Sequence, residues 1–260
     1  MILTDHRDIP KAKRLVVKVG SSSITGANES NLAKLVAAIA KNIASGQEIV
    51  LVTSGAIATG LPLLKLHSKP DDLATSQALA AVGQSRLMLR YQVELDKYDL
   101  LAGQVLLSAH DLENEESSAN AREALGRLFD LGVLPIVNEN DTVATAEIRF
   151  GDNDRLAALV AILVEADALI LLSDVDALYD RPPTEAGANK IEWVEPLDDL
   201  SSIKIGSSSS NVGTGGAVTK LQAARTATDN GITVLLTSID NVGSVLSGDR
   251  VGTWFRANRD

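Results

Sequence analysis

Short apolar runs alternate with longer amphipathic stretches along most of the chain. The runs predict six β-strands, over residues 15–19, 49–53, 103–107, 134–138, 168–173 and 232–237. Most of them are apolar at every position, which is typical of parallel strands buried on both faces. We therefore expect a mainly parallel central sheet.

The stretches between the strands carry helical patterns. Over residues 31–45, apolar side chains recur at positions 32, 35, 36, 39 and 43, and Gly46 supplies a stop signal. Similar patterns predict helices over residues 76–97, 118–131, 154–166 and 217–229. Alternation of strands and helices predicts an α/β fold, a three-layer αβα sandwich. No linker interrupts it, so we expect one domain over residues 1–260, with two lobes around one sheet.

Composition narrows the class of protein. The 260 residues are 45% hydrophobic and carry a net charge of −10, which argues against a nucleic-acid-binding surface. With no cysteine, disulfides and thiolate metal sites are excluded. The N-terminus lacks the apolar stretch of a signal peptide, and the longest apolar run, residues 156–164, is about half a membrane span. We expect a soluble cytoplasmic protein that binds neither nucleic acid nor membrane.

The first predicted strand carries a charged residue near its end, in an otherwise apolar run. Lys18 closes its apolar run and is followed at once by Gly20 and three serines. A buried ammonium group needs an anion, and a glycine turn offers backbone N–H groups of the kind that cradle phosphate. Taken alone, the lysine could equally extend its ammonium group to solvent.

Five more polar segments favour the first interpretation. They are 53–56 (Thr-Ser-Gly-Ala), 138–141 (Asn-Glu-Asn-Asp), 151–154 (Gly-Asp-Asn-Asp), 173–176 (Ser-Asp-Val-Asp) and 213–220 (Gly-Thr-Gly-Gly-Ala-Val-Thr-Lys). Three of them directly follow predicted strands, and two open predicted helices. Ligands bind at the carboxyl edge of open α/β sheets, so we expect these segments to form one site.

The acidic segments have two interpretations. Asp154 could simply stabilise the start of a helix. Alternatively, these carboxylates and amides could hold a substrate amine, orient a lysine or reach Mg²⁺ through water, for which Asp152 and Asp154 are the candidates. We choose Asp141 as the partner of a substrate ammonium group, with Asn138 and Asn153 as hydrogen-bonding neighbours.

The remaining segments also have ordinary alternatives. Residues 53–56 could be a plain helix cap, and 173–176 are either a strand exit or the source of aspartates that order the two lysines. The glycines before Lys220 let backbone approach a polyphosphate at a helix N-terminus, although neither a Walker A motif nor G-x-G-x-x-G is present.

Two lysines, glycine-rich turns and several acidic residues suit phosphoryl transfer, in which a protein mostly positions reactants and neutralises charge. None of the three histidines (His6, His67 and His110) lies near a polar segment, and we expect all three at the surface or in loops. A carboxylate acceptor is already ionised at neutral pH and needs no general base. The residues therefore indicate a kinase that forms an acyl phosphate.

These segments resemble the amino acid kinase superfamily. The motifs that carry the resemblance run in order over nearly the whole chain and are residues 16–22, 52–58, 80–86, 137–143, 150–154 and 213–220. Within the superfamily they look most like the branch that phosphorylates the γ-carboxylate of L-glutamate in proline biosynthesis, because Asn-Glu-Asn-Asp and Gly-Asp-Asn-Asp occur together. The resemblance implies the amino acid kinase fold.

The resemblance also implies ATP as co-substrate, with Mg²⁺ carried on the nucleotide rather than bound directly by the protein. Catalytic roles fall on Lys18, Lys220, Asp154 and Asp174. Glutamate binding falls on Ser54, Gly55, Asn138, Asp141 and Asn153. ATP binding falls on Lys18, Gly20, Ser173, Asp174, Thr214, Gly215, Gly216, Ala217, Val218, Thr219 and Lys220. Residues 1–165 would form the glutamate side and 166–260 the ATP side.

Family members commonly respond to proline by feedback inhibition and assemble as homo-oligomers, so we expect proline as an inhibitor and a homodimer or homotetramer. The chain departs from the family pattern in lacking the C-terminal PUA domain of many bacterial members, since it ends at Asp260. Ser173 replaces a frequent threonine, and Ala177 a frequent glycine. Two alternative functions remain. One is that of a kinase of the same fold that acts on acetylglutamate, aspartate, uridylate or carbamate. The other is that of a catalytically silent sensor that binds glutamate or proline.

Overall fold

The computed structural model describes residues 1, 3–68, 70–143, 153–196, 198 and 216–258. In this part of the chain the strands are β1 (Arg14–Val19), β2 (Glu48–Val52), β3 (Leu101–Leu107), β4 (Val133–Glu139), β5 (Ala168–Ser173), β6 (Leu178–Tyr179), β7 (Lys190–Ile191), β8 (Trp193–Val194), β9 (Thr233–Ser238) and β10 (Thr253–Phe255). Strands β6 and β7 form a separate hairpin.

The α-helices of the described residues are α1 (Asn31–Ala44), α2 (Ala56–Leu63), α3 (Leu73–Leu95), α4 (Ala109–Glu113), α5 (Glu115–Asp130), α6 (Asn153–Leu163), α7 (Ala217–Asp229) and α8 (Val242–Leu246). Within the same part of the chain, none of them combines the length and the apolar character needed to span a bilayer.

The other eight strands form one sheet in the order β3-β4-β2-β1-β5-β9-β10-β8. Every neighbouring pair is parallel except β9 and β10, which are antiparallel. Strand β1 therefore lies near the middle, between β2 and β5. Because its neighbours are parallel, their carboxyl ends reach the same edge as its own.

Apolar side chains cover both faces of this sheet. In β1, Leu15, Val17 and Val19 pack into one core with α1 and α3, whereas Val16 packs into a second core with α6 and α7. This alternation arises because successive side chains of a strand point to opposite faces. Two cores with one sheet between them confirm the αβα sandwich.

The predicted strands are confirmed to within two residues at each end, and the run 168–173 coincides with β5. The predicted helices are confirmed as α1, α3, α5, α6 and α7, with ends that move by up to three residues. Helix α2 was not predicted, since Gly60 and Pro62 lower its intrinsic helix propensity.

Helices α2 and α3 touch through their backbones at two glycines. A Cβ on Gly83 would lie 1.8 Å from the carbonyl oxygen of Ala56, and one on Gly60 would lie 2.3 Å from that of Leu79. No side chain fits at either distance, so the contact requires glycine. Gly83, which belongs to the 80–86 motif, thus fixes the position of the start of α2. This start directly follows residues 53–55.

His6 contradicts the expectation that all three histidines lie at the surface or in loops. It belongs to a 3₁₀ helix, His6–Lys11, and is only 3% exposed. Its ring centroid lies 4.8 Å from that of Trp254 and 5.4 Å from that of Trp193, so the side chain fills an aromatic cluster. Burial lowers the pKa of His6 below its usual value of 6.5.

We expect the melting temperature to fall as the pH is lowered from about 7.5 to about 5.5, because the unfolded chain then binds a proton at His6 that the folded chain refuses. Asp5, Glu192 and Arg250 act on the same ring, and the pKa of Asp5, about 2, lies well below this window. His6→Leu should weaken this pH dependence, and His67→Leu, at an exposed histidine, should leave it unchanged. Calorimetry at stepped pH measures both, and equal pH dependence in all three proteins would contradict the assignment.

Candidate active site

The polar segments that follow β1, β2, β4 and β5 lie along one edge of the sheet. Lys18 pairs in register with Val52 of β2 and Leu171 of β5, and Val52 pairs with Val137 of β4. The next residues of each strand therefore emerge side by side. The structure thus brings together the segments that begin at residues 20, 53, 138 and 173.

A carboxylate joins the two lysines. Lys18 Nζ lies 2.5 Å from Asp154 Oδ1, and Lys220 Nζ lies 3.1 Å from Asp154 Oδ2. Asp154 is fully buried, and the two lysines are 5% and 8% exposed. Thr219 Oγ1 also lies 3.2 Å from Asp154 Oδ2. Residues far apart in the sequence therefore form one compact charged cluster, which we call the lysine cluster (Lys18, Asp154, Lys220).

Charge governs the ionisation of Asp154. Burial alone would raise the pKa of this carboxyl, but the charges of Lys18 and Lys220 outweigh burial and lower the pKa to about 2. Asp154 is therefore ionised at neutral pH. The three side chains of the lysine cluster carry two positive charges and one negative charge, and lysine ammonium groups bind phosphate oxygens as point charges.

Two helices supply the residues that reach β1. Asp154 is the second residue of α6, and Lys220 lies in the first turn of α7, whose N-cap is Gly216. Thr219 Oγ1 donates to the carbonyl oxygen of Gly216 at 2.9 Å, which holds this turn. On the other side, a Cβ at Gly20 would lie 3.8 Å from Lys18 Nζ, so the turn after β1 passes directly beside the ammonium group.

A second group of polar side chains surrounds Asn153, the first residue of α6. Its Nδ2 lies 2.6 Å from the carbonyl oxygen of Thr53, 2.8 Å from Ser54 Oγ and 2.9 Å from Asn138 Oδ1. Neighbouring positions of a helix point about 100° apart, so Asn153 reaches β2 and β4 while Asp154 reaches β1. The structure thus brings together three of the predicted glutamate-binding residues.

Gly55 shapes the turn between β2 and α2. Its φ of +108° lies in the left-handed region, and a Cβ there would be 3.1 Å from Thr25 Cγ2. Both facts favour glycine. The turn leaves the first backbone N–H groups of α2 close to Ser54, at the same edge as Asn153.

Asp141 lies in a cavity next to this group, not in the lysine cluster. The cavity has a volume of about 260 Å³ and opens between α3, β3 and the segment after β4. Its lining includes Gln84, Gln104, Glu139, Asn140 and Asp141. A small polar molecule in it would therefore meet a carboxylate at Asp141 and amide groups at the opposite wall.

The segment after β5 does not supply the carboxylate seen between the lysines. Asp174 is exposed and accepts a hydrogen bond from Ser173 Oγ at 2.9 Å, and Asp176 accepts one from the hydroxyl of Tyr179 at 3.0 Å. The suggestion that these two aspartates order the lysines gives way to Asp154. Ser173 itself is buried, in line with Gly20 across β1 and β5.

The beginning of α7 is described from Gly216 onward. Ala217 and Val218 lie in its first turn with Thr219, and Val218 is 53% exposed. The predicted residues Asp152, Thr214 and Gly215 lie outside the described residues. Among the residues described, no three His, Asp or Glu side chains gather closely enough to hold a metal ion.

Sequence reasoning missed two residues that support the site. Tyr91 of α3 is fully buried, and its hydroxyl lies 2.7 Å from Thr53 Oγ1; burial raises its pKa above the usual value of 10. Gln84, also on α3, meets Asn138 Nδ2 at 2.7 Å. Both lie on a helix whose pattern indicates core packing. Gln84 falls within the 80–86 motif, which is the signal that could have found it, whereas Tyr91 offered only a polar atom at a buried position.

Comparison with known proteins identifies similar sequences. The sequence model of the amino acid kinase family matches residues 13–238. A glutamate 5-kinase from Clavibacter michiganensis subsp. michiganensis is 62% identical over 247 residues, which are 95% of each chain. A glutamate 5-kinase from Leifsonia xyli subsp. xyli is 58% identical and covers 98% of this chain and 95% of its own.

Among solved structures, carbamate kinase from Giardia lamblia bound to AMP-PNP has a similar fold. The two share a TM-score of 0.68 at 17% sequence identity, over 96% of this chain and the whole of that one. At this identity the likeness shows the fold alone. It supports the αβα arrangement described above.

Proposed function

The chain belongs to the amino acid kinase family, and we propose that it transfers the terminal phosphoryl group of ATP to the γ-carboxylate of L-glutamate. The product is L-glutamyl 5-phosphate, and the reaction is the first step of proline biosynthesis from glutamate. The observation that carries this proposal is the buried lysine cluster, in which Lys18 and Lys220 share Asp154, with the polar group around Asn153 beside it. Identities of 58–62% to glutamate 5-kinases over 95% of their length select the acceptor.

The lysine cluster suits the charge that moves in this reaction. Negative charge develops on the equatorial oxygens of the phosphoryl group as it passes from donor to acceptor. Lys18 and Lys220 approach from opposite oxygens of one carboxylate, so Asp154 fixes where both ammonium groups lie. Preorganised cations stabilise the transition state without reorganising during the reaction. We assign Lys18 and Lys220 to the phosphates, and Asp154 to holding them.

The acceptor needs no general base. A glutamate side chain has a pKa of about 4.3 and is ionised at neutral pH, so its oxygen can attack without losing a proton. The chain must instead bind this anion beside the phosphoryl donor. Ser54, Gly55, Asn138 and Asn153 lie together next to the lysine cluster, and we assign them to glutamate, with Asp141 facing its ammonium group.

We assign the nucleotide to the other side of the lysine cluster. Gly20 lies beside Lys18, and Ser173 and Asp174 lie at the end of the adjacent strand β5. The N-terminus of α7 offers backbone N–H groups to phosphate, and its first turn contains residues 216–220. Apart from Lys18 and Gly20, residues up to about 165 would then serve glutamate, and those from 166 onward ATP.

Mg²⁺ fits this site as a partner of the nucleotide. Asp154 already accepts from two lysines and a threonine, whereas Asp174 is an exposed carboxylate at the same edge. Asp174 would therefore hold the ion through water. The ion would neutralise phosphate charge when bound. In keeping with the family resemblance, we also propose that proline regulates the protein. We further propose that it forms a homodimer or homotetramer and has a cytoplasmic location.

The purified protein tests the function directly. With ATP and Mg²⁺ we expect ADP release with glutamate, and far slower release with N-acetylglutamate, aspartate, carbamate or UMP. Hydroxylamine should trap the acyl phosphate as the hydroxamate. ADP release without hydroxamate, or preference for another acceptor, would contradict the proposal. Binding of glutamate without turnover would instead favour a sensor.

Asp141→Asn should raise the KM of glutamate by about tenfold or more and change the KM of ATP by less than about twofold, because a charged hydrogen bond to the ammonium group is lost. Asp240→Asn, at an exposed aspartate paired with Lys34, is the matched control and should change neither. Steady-state kinetics with each substrate varied in turn measure the effect. Equal changes in both KM values would remove Asp141 from the ammonium site.

A further inference from the structure

Four side-chain amides from four different elements form a continuous chain. Asn153 Nδ2 of α6 lies 2.9 Å from Asn138 Oδ1 of β4, and Asn138 Nδ2 lies 2.7 Å from Gln84 Oε1 of α3. Gln84 Nε2 then lies 3.2 Å from Gln104 Oε1 of β3. We call Asn153, Asn138, Gln84 and Gln104 the amide chain. It runs from the glutamate-binding group to the wall of the cavity that contains Asp141.

Backbone groups set the direction of this chain. The carbonyl oxygen of Thr53 can only accept, so the nitrogen of the Asn153 amide must face it at 2.6 Å. The N–H of Glu139 can only donate, and it lies 2.9 Å from Asn138 Oδ1, so that oxygen must face Glu139. The nitrogen of Asn138 consequently points to Gln84. Each amide therefore has one favourable orientation.

This direction has a consequence for Ser54. Its Oγ accepts from Asn153 Nδ2 at 2.8 Å, so the hydroxyl proton of Ser54 is left to donate elsewhere. The oxygen of Asn153, buried and without a hydrogen-bond partner among the described residues, is turned away from these acceptors. The site therefore presents a hydroxyl donor at Ser54, which suits a molecule that carries a carboxylate.

We propose that Gln84 is a positioning residue for the acceptor substrate, acting through Asn138 and Asn153. It is 8% exposed, and a buried amide is costly unless both of its ends are hydrogen-bonded, as they are here. Removing its oxygen leaves Asn138 Nδ2 without that acceptor, which frees the Asn138 amide to turn and with it the amide of Asn153. Gln104, at the exposed end of the amide chain, contributes less to this positioning. This inference rests on the proposed function.

The test compares two glutamines of the same helix. Gln84→Met removes the amide at the site, and Gln92→Met removes one two turns further along α3, where Gln92 Oε1 accepts from the backbone N–H of Ala102 at 2.9 Å. We expect Gln84→Met to raise the KM of glutamate by about tenfold while the KM of ATP stays within about twofold. Gln92→Met should lower the melting temperature without changing either KM.

A third variant separates positioning from packing. Gln84→Glu keeps an oxygen that accepts from Asn138 Nδ2, so its KM for glutamate should lie much closer to wild type than that of Gln84→Met. An unchanged KM in Gln84→Met, or equal KM increases in Gln84→Met and Gln84→Glu, would overturn the proposal. If Gln84→Met fails to fold, Gln84→Glu still tests the proposal, because a tenfold rise in its KM for glutamate would overturn it. Wild-type turnover of glutamate in the same assay tests the proposed function separately, and its absence would overturn both.

Discussion

Lys18→Ala is expected to lower kcat by about 10³-fold or more, while the Kd of glutamate stays within about threefold of wild type. The ammonium group of Lys18 lies at the centre of the sheet edge, 2.5 Å from Asp154, and it is the cation nearest to the turn at Gly20. Without it, Lys220 is the one ammonium group of the lysine cluster left to meet the charge on the moving phosphoryl group. The glutamate-binding group around Asn153 makes its contacts to β2 and β4, so binding of the acceptor should survive.

The variant should also fold, because Asp154 retains its ion pair with Lys220 and the lysine cluster becomes neutral rather than unpaired. Lys34→Ala, at an exposed lysine paired with Asp240, is the matched control and should leave kcat unchanged. Single-turnover kinetics give the rate of phosphoryl transfer, and calorimetric titration gives the Kd of glutamate. A kcat within tenfold of wild type would remove Lys18 from the transfer step, and a large loss of glutamate binding would place it at the acceptor.

Most of the longer strands were predictable because burial on both faces leaves a clear pattern in the sequence. Every position of residues 168–173 except the last is apolar, and β5 occupies this run with both ends as predicted. Helix α2 left no such trace. Its formation depends on the contact of Gly60 and Gly83 with backbone of the facing helix, which is a tertiary interaction between residues 19 and 27 positions apart. Local propensity gives no access to contacts of this kind.

The candidate site was predictable as a set of strand ends, since parallel neighbours place their carboxyl ends at one edge. Which of the site residues contact one another was not predictable. Asp152 and Asp154 lie at the start of a predicted helix, whereas Asp174 and Asp176 follow a predicted strand. Nothing in the spacing of these four aspartates tells which one reaches between two lysines. That choice depends on α6 directing Asp154 toward β1, which turns the residue from a candidate helix cap into the anion of the lysine cluster. The burial of His6 likewise depends on tertiary contacts, with two tryptophans that lie far from it in the sequence.

Asp154→Asn is expected to reduce both activity and stability. The variant loses the charge that two buried ammonium groups share, and removing one partner of a buried ion pair costs about 3–5 kcal/mol of unfolding free energy. We expect a kcat lowered by about 10²-fold or more, since both lysines lose the group that positions them. Asp240→Asn, at the surface, should change neither quantity. Denaturant unfolding and steady-state turnover measure the two effects.

The free energy of unfolding of the wild type should respond to acid pH more strongly than that of Asp154→Asn. In the wild type, the pKa of Asp154 is about 2 in the folded state, against 3.8 for an unperturbed aspartate, so its contribution is complete above pH 3.8 and is lost as the pH falls toward 2. Asp154→Asn lacks this carboxyl, so the loss of stability that it causes as the pH falls toward 2 should be absent from the variant. A polyphosphate such as ADP supplies the missing anion and should raise the melting temperature of the variant more than that of the wild type. Equal thermal shifts would show that Asp154 does not hold these lysines for phosphate.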